Sequence, residues 1–151
     1  MGLKSQVCSL ELAKRLRDLG VEQGRLFWWI RGADTKHGTW ALKSFSDLQE
    51  IISHDDDGGW TWLEEAKYRN DVFSSFTVAE LGELLPTALL DNRGVHHQIF
   101  TDRFYDKWLV GYGTIYDDDK PFMDTEADAR AELLIYLLET NLVSAKKIAP
   151  Q

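Results

Sequence analysis

The chain has 151 residues, of which 44% are hydrophobic and 28% charged, a composition typical of globular rather than disordered proteins. Its 25 acidic residues outnumber its 17 basic residues, and the net charge is −8. This surplus of carboxylates disfavours direct binding to nucleic acid or to an anionic membrane, because both need Lys and Arg to neutralise phosphate. It is compatible with docking onto a basic partner.

The cysteine content indicates a reducing compartment. Cys8 is the only cysteine, so no internal disulfide can form, and we expect a cytoplasmic protein. The first residues, MGLKSQVCSL, contain no apolar core of signal-peptide length. Cys8 itself has no histidine beside it in sequence, so we expect a buried or partly buried residue rather than a reactive thiol.

The first half of the chain predicts a helix, two strands and a second helix. Apolar residues spaced as on one helix face follow Ser9, and Gly20 can end that helix with a positive φ. The aromatic segment RLFWWIRG predicts a strand, and TWALK predicts its hairpin partner. The segment SFSDLQEIISH predicts a short helix capped by Ser44 or Ser46, with its apolar side chains inward, namely Leu48, Ile51 and Ile52.

The middle of the chain contains one strong helix signal. HDDDGG at 54–59 interrupts the pattern, and residues 60–73 are compatible with either a helical turn or an ordered loop. Thr77 and Glu80 then form a T-x-x-E capping box, with Phe76 and Leu81 placed as a hydrophobic staple. Pro86 cannot continue the hydrogen-bond ladder, so the helix must end near it.

The second half repeats the same order of elements. Strands are predicted at 97–104 and 108–116, with the turn at Tyr105 to Lys107. Gly111 and Gly113 leave a flat strand face, which indicates a bulge or a close approach of other atoms. The last helix should begin at Asp124 or Thr125 and end near Asn141, followed by a frayed tail.

These elements predict an α+β fold in which an antiparallel sheet packs with helices on one face. The predicted order is α-β-β-α-α-β-β-α within a single domain, 1–151. Its halves, 1–58 and 73–143, suggest a distant internal repeat.

Four segments resemble a group of small phage and prophage proteins. They are CSLELAKRLRDLGV, LFWW, FTVAELGELLP and ADARAELLIYLLETNLV. The resemblance rests on helix caps and apolar patterns and carries no catalytic motif. It implies a cytoplasmic protein of a mobile element that binds a host factor or sequesters a small molecule.

The second half also resembles double-stranded-RNA-binding domains in its helix–strands–helix order. Those domains place Lys-rich residues at the start of the final helix to hold phosphate. This chain has Asp124, Glu126 and Asp128 there, so RNA binding is not expected.

No sequence pattern predicts a catalytic, cofactor or metal site. The Walker A, GxGxxG, GxSxG and HExxH patterns are absent from the sequence. His96 and His97 are adjacent, and neighbouring strand residues face opposite sides, so they should not bind one metal together. In HDDDGG the fifth position of a calcium loop starting at Asp55 is Gly59, so the ligand pattern fails. No catalytic residue, metal ligand or cofactor is predicted.

The six tryptophans are the one compositional excess. Adjacent strand residues face opposite sides, so either both faces of the sheet are covered or one of Trp28 and Trp29 lies on an open face. Large exposed aromatic residues mark interaction surfaces. We therefore predict a groove that binds a ligand or partner, lined by Trp29, Trp40, Trp108 and Tyr112 with Arg31 and Arg103 nearby.

Three functions follow as hypotheses. The first is a non-enzymatic phage or prophage protein that modulates a host factor, for example an anti-defence protein, through an acidic and aromatic surface. The second is a protein that sequesters a nucleotide-type ligand by stacking, with Arg31, Lys43, Arg103 and Lys107 as the basic groups. The third is an enzyme. An open sheet edge is also compatible with a homodimer.

Overall fold

In a computed structural model, the chain is described at residues 2–31, 39–47, 71–113 and 122–145. The predicted α+β class with antiparallel strands is confirmed. A 3₁₀ turn at Leu3–Ser5 precedes the main elements. These are α1 Leu10–Asp18, β1 Phe27–Arg31, β2 Trp40–Ser44, β3 Val72–Ser75, α2 Val78–Leu84, β4 Ala88–Leu90, β5 His96–Gln98, β6 Phe100–Phe104, β7 Lys107–Gly111 and α3 Glu126–Glu139.

Helix α1 ends as predicted but begins with a tertiary contact. Gly20 has a φ of +88°, and the N–H of Val21 donates to the carbonyl of Leu16, so the helix closes through the glycine. Ser9 occupies the N-cap without a side-chain cap. Its own N–H instead donates to a carboxylate oxygen of Asp128 on α3, 2.7 Å away. The start of α1 is therefore tied to the last helix.

Helix α2 confirms the capping box. The Thr77 hydroxyl accepts from the N–H of Glu80 at 3.1 Å, and the Glu80 carboxylate accepts from the N–H of Thr77 at 2.8 Å. Glu80 also accepts from the N–H of Leu26 at 3.2 Å, which connects the helix start to the approach to β1. The helix ends at Leu84, two residues before Pro86.

Helix α3 is the centre of the core. Thr125 caps it by accepting from the N–H of Asp128, and Asn141 follows its end with a φ of +59°, both near the predicted positions. Eight of its 14 residues are buried, because the helix contacts α1, α2 and β7. The buried core joins residues from Cys8 to Leu138.

The first sheet has the strand order β2-β1-β3, and all its pairs are antiparallel. Trp29 lies opposite Phe73 and Leu42, on the face that packs against the core. Trp28 lies on the other face, opposite Ser74. Their exposed fractions are only 8% and 3%, so both faces of β1 are covered and neither tryptophan lies on an open face.

The predicted order of elements is not confirmed. The structure adds strands β3 and β4, and the strand predicted at 97–104 is divided at Ile99 into β5 and β6. The strand predicted at 108–116 is β7, which ends at Gly111. β1 and β2 extend into a three-stranded sheet with β3, whereas the second half forms two separate hairpins, β4–β5 and β6–β7. The internal repeat is likewise not confirmed.

Gly113, two residues after the end of β7, explains the flat face predicted for the strand at 108–116. It has a φ of +54°, and a Cβ at this position would lie 2.7 Å from Nδ1 of His97. The other ring nitrogen of His97 lies 2.9 Å from a carboxylate oxygen of Asp91. Asp91 also accepts from the N–H groups of Arg93 and Val95, so it orders the β4–β5 turn. The predicted close approach of other atoms is confirmed at Gly113.

The helix predicted after β2 is described only at its start, and several other predicted segments lie outside the described ranges. Ser44 accepts from the N–H of Asp47 at 3.2 Å, which supports the predicted cap of the following helical turn. The inward residues Leu48, Ile51 and Ile52 lie outside the described residues. So do HDDDGG, the ambiguous residues 60–70 and most of the tail predicted to be frayed.

Candidate interaction surface

Two of the predicted site residues belong to the core. The indole N–H of Trp29 donates to the carbonyl of Cys8 at 3.1 Å, so the ring points inward. Tyr112 is fully buried, and its hydroxyl donates to the carbonyl of Pro86. Burial raises the pKa of Tyr112 above its ordinary value. Neither side chain is presented at the surface, so the groove predicted to include them is not formed.

Trp40 and Arg31 lie together at one end of the first sheet, where β1 ends and β2 begins. They are opposite each other in the β1–β2 register. The Trp40 ring packs 5.7 Å from the Phe73 ring, and the Lys14 ammonium lies 5.2 Å from the centre of the Trp40 ring. Arg31 is 3.8 Å from a carboxylate oxygen of Asp71. These contacts give both residues partners within the fold.

Trp108 and Arg103 line a groove with a volume of about 430 Å³. They face each other across β6 and β7, with the Arg103 guanidinium 5.1 Å from the centre of the Trp108 ring. The lining is mostly apolar, and the charged side chains of the groove are one guanidinium and three carboxylates, namely Arg103, Asp106, Asp124 and Glu126. Trp29 and Trp40 do not line this groove.

Among the described residues, the exposed aromatic cluster contains no tryptophan and consists of three rings at the end of the β6–β7 hairpin. Phe104, Tyr105 and Phe122 have exposed fractions of 60%, 86% and 40%. The rings of Phe104 and Tyr105 are 4.7 Å apart in an edge-to-face arrangement, and those of Phe104 and Phe122 are 6.1 Å apart. An exposed aromatic cluster of this kind is typical of an interaction surface.

The backbone of Tyr105 is the most informative feature of this surface. The hairpin turn contains two residues, Tyr105 and Asp106, between the paired Phe104 and Lys107. Tyr105 has a φ of +57°, a conformation that two-residue hairpins require and that glycine or asparagine normally supply. A bulky residue there costs on the order of 1 kcal/mol. The chain thus keeps a phenol ring at this exposed turn at the expense of stability.

Carboxylates flank these rings. Asp102 lies on the same face of β6 as Phe104, and Asp106 follows Tyr105 in the turn. Neither forms an ion pair with a described residue, whereas Lys107 is neutralised by Asp124. That hydrogen bond raises the pKa of Lys107. We call Asp102, Phe104, Tyr105, Asp106 and Phe122 the tip patch; it is aromatic and negatively charged.

The tip patch was not among the sequence-based predictions, although one signal was present. Tyr105 fell at the predicted turn, where an aromatic residue replaces the usual turn formers. The proximity of Phe122 to Phe104 could not be read from the sequence. It depends on the bridge between Trp108 and Met123, which places residue 122 beside the hairpin.

The described residues offer little for covalent or metal chemistry. Cys8 is buried, and this burial raises the pKa of its thiol to about 12, as expected for a structural rather than a reactive cysteine. No group of three or more His, Cys, Asp or Glu in the described ranges could hold a metal ion. His96 is exposed, and His97 is bonded to Asp91.

Comparison with protein-family models, with curated proteins and with solved structures finds no match to this chain. Within the described part of the chain, no helix has the length and apolar character needed to cross a bilayer.

Proposed function

We propose that this chain is a non-enzymatic binding protein that docks onto a protein partner through the tip patch. The observation that carries the proposal is Tyr105, which is 86% exposed at a φ of +57°. A residue that costs stability and makes few internal contacts is expected where the surface is used.

The chemistry of the patch defines the partner. The aromatic rings of Phe104, Tyr105 and Phe122 fit an apolar pocket, where aromatic anchors supply much of the binding energy. Asp102 and Asp106 fit Lys or Arg residues at the rim of that pocket. The net charge of −8 adds a longer-range attraction that accelerates association with a basic surface.

The resemblance to phage and prophage proteins suggests where this binding takes place. In this proposal the partner is a basic host protein of the bacterial cytoplasm. Blocking a functional surface of that protein would modulate it, for example as an anti-defence protein does. The chain would need no catalytic group for this action.

The test is a pull-down from bacterial lysate with matched variants, followed by calorimetry on the purified partner. We expect Tyr105→Asn, which keeps the turn conformation, to weaken binding by about 30-fold, as the loss of a central aromatic anchor does. Phe45→Ser changes an exposed ring outside the patch and should leave affinity unchanged. Equal affinities for the wild type and Tyr105→Asn would refute the proposal.

Sequestration of a nucleotide-type ligand is the second candidate. The groove beside Trp108 is large enough for a small ligand. Of its three carboxylates, Asp124 pairs with Lys107 and Glu126 with Arg130, which leaves Asp106 to oppose the binding of phosphate. A nucleotide would have to rely on stacking and on Arg103. Titrating the intrinsic tryptophan fluorescence with nucleotides tests this candidate, and the absence of quenching by any of them would eliminate it.

A further inference from the structure

Strand β6 has a free backbone edge. On its inner side it pairs with β7, and the N–H and C=O of Trp108 on β7 bond to Met123 rather than to β6. Arg103 and Trp108 are therefore a non-hydrogen-bonded pair, and the N–H and C=O of Arg103 also point away from the hairpin. Hydrogen-bonded and non-hydrogen-bonded pairs alternate along an antiparallel ladder, so the Thr101–Val110 pair is also non-hydrogen-bonded. The N–H and C=O of Thr101 therefore point away from the hairpin as well. No described residue forms a backbone hydrogen bond with them.

The side chains of β6 make this edge accessible. All five residues of the strand are exposed. Phe100, Asp102 and Phe104 alternate with Thr101 and Arg103, so they project from one face in the order apolar, acidic, apolar. Asp102 has no ion-pair partner among the described residues. An incoming strand would meet two exposed aromatic rings with an uncompensated carboxylate between them.

We infer that β6 binds an extended segment of the partner by strand addition. The segment would hydrogen-bond to Thr101 and Arg103 and place a Lys or Arg opposite Asp102, with apolar residues two positions to either side. This inference rests on the proposed function for the existence of a protein partner. It adds the mode of recognition and the pattern that the partner must carry: apolar, any, basic, any, apolar.

The charge of Asp102 argues against a second copy of the chain as the occupant. Two antiparallel copies of β6 related by a two-fold axis could pair Thr101 with Arg103 of the other copy. That register brings the two Asp102 carboxylates directly opposite each other, an unfavourable arrangement. A basic segment gains from the same carboxylate.

The experiment uses the whole chain and three synthetic peptides. The first has the sequence Thr-Val-Thr-Lys-Thr-Val-Thr with blocked ends. The second replaces Lys by Glu, and the third carries N-methyl groups on the backbone nitrogens that would face β6. Binding is measured by the backbone amide NMR shifts of Thr101 and Arg103.

We expect saturable shifts at these two amides with the Lys peptide, about fivefold weaker binding of the Glu peptide, and loss of binding on N-methylation. Asp102→Lys should reverse the preference between the Lys and Glu peptides. This reversal also shows that the variant is folded.

Three results would overturn the inference. The first is no amide shift with the Lys peptide at millimolar concentration, and the second is binding that N-methylation leaves unchanged. The third is self-association of the chain, seen as a dimer in analytical ultracentrifugation, with NMR shifts of the Thr101 and Arg103 amides as the dimer forms. Each of them leaves docking through the tip patch to be decided separately by Tyr105→Asn. Conversely, if Tyr105→Asn keeps full affinity for the partner while the peptides behave as expected, the proposed anchor is wrong and the strand edge stands.

Discussion

The contact between Gly113 and His97 allows a controlled prediction about the second half of the fold. Replacing Gly113 with Ala adds a Cβ that would lie 2.7 Å from Nδ1 and 3.4 Å from Cγ of the His97 ring. The ring must move, which disturbs its bond to Asp91 and the turn that Asp91 orders. Gly94 provides the matched control, because its φ is +80° and no atom lies within 4 Å of the added Cβ.

Gly94→Ala and Gly113→Ala share the free-energy cost of a positive φ, but only Gly113→Ala adds a steric cost. An alanine with a positive φ costs about 1–2 kcal/mol, partly offset by the smaller entropy of the unfolded chain, so Gly94→Ala should destabilise by about 1 kcal/mol. Gly113→Ala carries the same backbone cost and a further overpacking cost of about 2 kcal/mol. The total is about 3 kcal/mol, which lowers Tm by roughly 6–12 °C for a domain of this size.

Thermal and urea unfolding of five proteins measures the difference, namely the wild type, Gly94→Ala, Gly113→Ala, His97→Ala and the double variant Gly113→Ala/His97→Ala. Removal of the imidazole gives the new methyl group room, so Gly113→Ala in the His97→Ala background should cost no more than Gly94→Ala does. The coupling free energy should be about 2 kcal/mol. Equal costs of Gly113→Ala in the two backgrounds would refute the steric explanation.

Three further predictions concern the cap, the thiol and one carboxylate. Thr77→Ala should destabilise the fold by about 1 kcal/mol in urea unfolding, because the N–H of Glu80 loses its acceptor; an unchanged midpoint would contradict this role. Cys8 should react with a thiol reagent only at the rate of unfolding, because it is fully buried with a pKa of about 12, and rapid labelling of the native protein would show that the site opens locally. The hydrogen bond from His97 and those from the turn hold the pKa of Asp91 below its ordinary value of 3.8, so its stabilisation is present above that pH and is lost as the pH falls further. The stability difference between the wild type and Asp91→Asn should therefore shrink in acid unfolding below pH 3.8, and a difference independent of pH would contradict the assignment.

The aromatic residues show where sequence patterns stop being sufficient. Strand alternation indicated that Trp28 and Trp29 point to opposite faces, and they do. Whether a face is covered depends on segments far away in the chain. Trp29 meets the carbonyl of Cys8, 21 positions earlier. The tip patch has the same origin, since residue 122 reaches Phe104 only because Met123 bridges to Trp108.

By itself, the sequence determined the features that depend on neighbouring residues. The capping box at Thr77 and Glu80, the helix end at Gly20 and the apolar stripe of the last helix all involve groups within a few positions of each other, so their physical chemistry is local. Tertiary structure alone decided the strand partners, the division at Ile99 and the exposure of each aromatic ring. These features depend on which distant segments cover a surface, and the residues near a position in the sequence do not determine those segments.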